Sequence, residues 1–173
     1  MPSALETLEK PHRGVTNKQR IQCEVAVEAL RTSGKLRLQV YGGSMLPFVW
    51  PGDILSIHRA AHADLQRGEL VLFTREDGFV VHRVVAKSGD SLITRGDSLD
   101  SNDPPVSPNQ VLGRVVAIER GGFRLSPPGG INCRQGFLLF LIRRCSPFKI
   151  LMLRLCSLRL KLHRARNREE ATA

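Results

Sequence analysis

A serine hydroxyl becomes a nucleophile when a neighbouring base takes its proton and its oxygen is open to a substrate. Ser44 sits in the run Y-G-G-S-M-L-P-F-V-W-P-G-D, residues 41–53, which suits that use. It follows the alternating stretch Leu36-Arg37-Leu38-Gln39-Val40, which reads as a strand, so the hydroxyl is offered at a strand end. Gly42 and Gly43 carry no Cβ and let another backbone come close, while Pro47 and Pro51 stiffen the exit. A base is available in V-V-H-R-V-V, residues 80–85, where His82 lies in a strongly β-forming run. An imidazole there can accept the Ser44 proton and return it to a leaving amine. His12, His58, His62 and His163 are the rival histidines, and His58 also falls on an expected strand. The third requirement is a carboxylate to orient the imidazole. Asp97 and Asp103 both qualify in T-R-G-D-S-L-D-S-N-D, residues 94–103, with Arg83 or Arg95 placed to pair with whichever is left over.

The ordered set G-S-M-x-P…G-D, V-H-R-V and R-G-D-x5-D resembles signal peptidase I, in its archaeal and endoplasmic-reticulum branch, across roughly residues 36–119. The resemblance implies a serine endopeptidase that cleaves signal- or leader-peptide-like segments after small residues. Ser44 would be the nucleophile and His82 the general base. Asp103 matches the position usually assigned to the triad, and Asp97 matches the family's other acidic residue. Gly43, Ser44 and Met45 would supply the oxyanion and substrate contacts, with Met45 lining the pocket for the residue before the scissile bond. The family commonly has a hydroxyl where this chain has Gly42, and an Asn where it has Ser98. The expected oxyanion hole is therefore built from backbone alone. No cofactor and no metal are implied.

These residues need elements to hold them. Asn17 to Ser33 reads as a helix, with a cap at Thr16 or Asn17 and Gly34 as its stop. Strands are expected at Leu36–Val40, Ile54–His58, Leu70–Thr74, Val80–Ala86, Ser91–Thr94 and Val111–Glu119. Turns at Pro51-Gly52-Asp53, Glu76-Asp77-Gly78 and Ser88-Gly89-Asp90 separate most of them. Many short, closely spaced strands predict a mainly β fold, a sandwich or small barrel. The resemblance narrows this to the coiled β-barrel shared by signal peptidase and LexA. Organisation then runs as a leader and helix at 1–34, a β domain at 35–125, and a linker with a basic tail at 126–173.

Composition bounds the rest. The net charge of +10 is concentrated in the tail, where residues 134–168 hold ten Lys or Arg and no Asp or Glu. After the linker Ser126-Pro127-Pro128-Gly129-Gly130, Phe148, Leu151, Leu155, Leu158 and Leu162 recur at helical spacing, with Arg154, Ser157 and Lys161 opposite. This predicts a basic amphipathic helix lying on an anionic membrane surface, with packing of its apolar stripe on the β domain as the alternative and a strand also allowed by the Leu-x-Leu alternation of 151–162. The four cysteines, Cys23, Cys133, Cys145 and Cys156, show no C-x-x-C spacing, which excludes a zinc ribbon and gives no disulfide framework. No apolar run reaches the length of a membrane span, and residues 1–22 lack the apolar core of a secretory signal. The expected location is peripheral to the cytoplasmic membrane, or else cytoplasmic. The expected partners are a peptide or preprotein substrate and a membrane-anchored subunit, with no specific nucleic acid. Two other readings share the fold: a LexA-type self-cleaving regulator using Lys87 as base, and a non-enzymatic module binding membrane or polyanion.

Overall fold

Helix α1 spans Asn17–Ser33, the range its sequence predicts. In this computed structural model residues 17–75 and 78–129 are described, together with Arg154. Gly34 ends the helix in the left-handed region at φ 69°, and its N–H donates to the Leu30 carbonyl at 3.0 Å. That geometry suits glycine, which has no Cβ to clash. Leu30 anchors the helix, being almost fully buried beside Met45, Leu55, Ile57 and Leu72.

Seven strands follow: β1 Lys35–Gln39, β2 Ile54–Arg59, β3 Leu70–Arg75, β4 Gly78–Ser88, β5 Ser91–Arg95, β6 Val111–Arg120 and β7 Phe123–Leu125. Six lie where the alternation and turn residues put them; β7 was not expected. It pairs with β6 through the two-residue turn Gly121-Gly122, both at positive φ (58° and 85°). Positive φ at both central residues is what a tight hairpin of this twist requires.

The strands form one antiparallel sheet in the order β1-β2-β6-β3-β4-β5, with β7 on β6. β3 is buried on both faces, which is why it reads as an unbroken apolar run rather than an alternation. Leu70 and Leu72 join the cluster beneath α1, while Val71 and Phe73 pack with Val84, Leu92 and Val106 on the other side. At the β2–β6 contact, a Cβ on Gly113 would stand 2.3 Å from the His58 carbonyl oxygen, so these strands approach closely because residue 113 has no side chain.

The architecture is mainly β, but the expected closed barrel is not what forms. The sheet runs open from β1 to β5, and these edge strands do not pair. α1 packs against β1, β2 and β4. The leader and the amphipathic tail helix lie outside the described residues. Among the described residues no helix is long and apolar enough to cross a membrane.

Candidate active site

Ser44 lies on an excursion between β1 and β2 whose base is pinned by backbone. Val40 N–H donates to the Asp53 carbonyl at 2.9 Å, and Gly52 N–H donates to the Val40 carbonyl at 2.7 Å. Inside it the chain makes a helical turn, with Val49 N–H on the Met45 carbonyl at 3.0 Å. Met45, Leu46 and Val49 point into the core and fix the turn by packing. Asp53, nearly fully buried, accepts the Trp50 N–H at 2.8 Å and an Arg120 Nη2 bond at 2.7 Å. The same Nη2 reaches the Phe48 carbonyl at 2.7 Å, and the guanidinium stands 5.4 Å from the centre of the Trp50 ring. A buried carboxylate without such partners would be costly; here it ties the loop to β6.

His82 sits on β4 opposite Val71 of β3, with its ring edge-on to Phe73 at 6.2 Å between centroids. Its Nε2 is 3.0 Å from Ser44 Oγ and its Nδ1 is 2.6 Å from Asp103 Oδ2. A carboxylate only accepts, so Nδ1 carries the proton and Nε2 accepts from the serine hydroxyl. That is the arrangement in which an imidazole can draw the proton from serine. His82 and Asp103 are both about nine-tenths buried, so their contact is shielded from water.

The two acidic candidates separate cleanly. Asp103 meets His82, whereas Asp97 is held by the Arg83 fork, Nε to Oδ1 at 2.8 Å and Nη2 to Oδ2 at 2.7 Å. Arg83 rather than Arg95 is thus the partner of the second carboxylate. Asp97 acts one step removed: Gly96 lies so close to Ser44 that a Cβ would be 2.8 Å from the Ser44 carbonyl oxygen. Ser98 N–H donates to that carbonyl at 2.9 Å, and Ser98 Oγ lies 3.0 Å from the carbonyls of both Gly43 and Ser44. Ser98 therefore holds the backbone of Ser44 itself. Among the described residues no acceptor takes the N–H of Ser44 or Met45, which leaves those donors for a substrate oxygen.

Three contributors were not singled out from the sequence. Thr94 Oγ1 donates to Asp103 Oδ2 at 2.7 Å, and the Asp103 N–H donates to the Thr94 carbonyl at 2.8 Å. Arg75 Nη1 lies 3.6 Å from Asp103 Oδ1. Arg120 clamps Asp53. An inward-facing Thr on β5 was the legible signal for the first; the arginines have none beyond their charge.

The rivals fall elsewhere. His58 is exposed on β2, His62 sits in a short helical turn before β3, and His12 and His163 lie outside the described residues. Lys87, the base a LexA-type site would need, donates to the Ala63 carbonyl at 2.9 Å rather than to Ser44. No three His, Cys, Asp or Glu side chains among the described residues come together to hold a metal ion.

Ser44 and His82 open onto a cleft of about 720 Å³ walled by Leu38 of β1, Val40 just beyond it, Val80 of β4 and Leu72 below, with Met45 at the serine. Its walls are mostly apolar, and β1, an edge strand of the sheet among the described residues, runs along it, with exposed Tyr41 at the rim. An edge strand beside apolar walls is a setting in which an extended chain can add its backbone as a further strand. No known family model matches the chain, and no curated protein matches it.

Proposed function

We propose that this chain is a serine endopeptidase of the signal peptidase I kind, cleaving extended signal- or leader-like peptides after small residues. The observation that carries this is the unbroken path from Ser44 Oγ through His82 to Asp103, at 3.0 and 2.6 Å. Ser44 attacks the scissile carbonyl, and His82 takes its proton at Nε2 and delivers it to the departing amine. Asp103 keeps the ring oriented and balances the imidazolium that forms. The N–H of Ser44, which has no acceptor among the described residues, is the first oxyanion donor. The open sheet is read as a variant of the coiled β domain of that family, with the cleft left unclosed between β1 and β4. The ten basic residues of 134–168 would hold the enzyme at an anionic membrane surface, alone or beside an anchored subunit.

The test is cleavage of an A-x-A-containing peptide library by the purified chain, beside Ser44→Ala, His82→Ala and Asp103→Asn. The parent is expected to cut after a small residue, with each variant slower by about a thousandfold or more. A parent that cuts nothing, with anionic vesicles present or absent, would overturn the reading.

A further inference from the structure

Arg83 makes more contacts than the pairing of a stray carboxylate requires. Its side chain is 96% buried, and four of its N–H groups have named acceptors. Two go to Asp97. The other two leave Nη1 for backbone, the Gly68 carbonyl at 2.6 Å and the Pro128 carbonyl at 2.7 Å. Its guanidinium also lies over the Phe48 ring at 5.5 Å. One planar group therefore joins the turn before β3, the loop bearing Ser44, the segment bearing Asp97 and the chain beyond β7. It stands next to His82 in sequence, and its partner Asp97 neighbours the Gly96 and Ser98 that hold the Ser44 carbonyl.

We propose that residues 126–129 are a positioning strap of the catalytic site rather than a passive linker, acting through the Pro128 carbonyl on Arg83. This rests on the peptidase reading for its kinetic consequence, not for its geometry. Two consecutive prolines fix φ at 127 and 128, which stiffens the segment that presents the carbonyl. Losing it would leave a buried guanidinium N–H without an acceptor, which the fork can repair only by shifting. A shift of Arg83 moves Asp97 on one side and the His82 backbone on the other. Whatever engages the basic tail then pulls on a segment hydrogen-bonded into the site.

The experiment uses the full chain with two glycines inserted either between Leu125 and Ser126 or, as control, between Gly129 and Gly130. The first insertion displaces the Pro128 carbonyl; the second leaves it in place. The expected result is a kcat lowered roughly ten- to a hundredfold by the first insertion at nearly unchanged KM, the order that about 1 Å of misplacement costs, with the control unaffected. The His82 ring nitrogens, observed by NMR in protein labelled with ¹⁵N-histidine, should shift with the first insertion and not with the control. That second readout needs no turnover, so a parent that cleaves nothing defeats the peptidase reading while the ring signals still judge the strap. His82 signals unchanged by the first insertion, or changed equally by both, would overturn the proposal. Thermal unfolding of each variant identifies a global loss of structure, and a chain unfolded by the first insertion but not by the control is replaced by Pro128→Gly, read the same way.

Discussion

At the scale of single residues, the two aspartates invite opposite failures. Asp103 has a catalytic neighbour and a hydroxyl to hold it, so Asp103→Asn should keep the fold and lose the peptidase. Asp97 is buried against Arg83, and Asp97→Asn would leave that guanidinium's charge uncompensated inside the protein. Breaking a buried pair from one side costs about 3–5 kcal/mol. Asp97→Asn is therefore expected to lower the urea midpoint markedly, and equal midpoints for the two variants would contradict the division of roles. Gly42 gives a prediction of the other sign. A Cβ there would meet nothing within 4 Å, and its backbone is not in the left-handed region. Gly42→Ser therefore adds a hydroxyl two residues before the nucleophile without strain. Removing one oxyanion donor elsewhere costs about a hundredfold or more. A gain of at least about tenfold in kcat is expected if the hydroxyl reaches the developing charge.

At the scale of elements, close backbone approach sets the tolerances. Gly113→Ala would put a methyl 2.3 Å from the His58 carbonyl and force β2 from β6. A loss of about 1–3 kcal/mol, the usual cost of overpacking, is expected and measurable by chemical unfolding. Elements were also where the sequence was most informative. β1 and β5 announced themselves by alternation, β3 and β4 by β-branched and apolar runs, and α1 by its stop at Gly34. β7 was missed because three exposed residues carry no alternation against a core, although Gly121-Gly122 was a legible hairpin signal. Ser44, His82 and the Asp97/Asp103 pair could be named because their neighbours form a pattern. The residues alone left Asp97 and Asp103 both open and only the resemblance favoured Asp103, because which one meets His82 depends on how the 96–103 loop folds back on β5, a tertiary fact. Barrel closure was likewise beyond local reading, since whether β1 and β5 meet depends on the twist and coiling of the whole sheet.

At the scale of the whole molecule, charge is the least evenly distributed property. If the tail binds the membrane as proposed, the full chain should sediment with anionic vesicles and a chain lacking 134–173 should not. Added salt should release the full chain, because exposed charge is screened within about 10 Å at 0.1 M. Equal sedimentation of both forms would place any membrane contact on the β domain. The sheet order has a consequence of its own. β2, which follows the serine loop, and β3, which pairs with the histidine strand, do not touch as neighbours; β6 lies between them. Both chemical groups are thus synthesised well before the strand that sets their spacing. A chain growing from its N-terminus carries Ser44 and His82 unassembled until residue 120 has emerged. If the chain is the peptidase proposed above, the order of translation keeps it inert while its own backbone is still unfolded and open to attack.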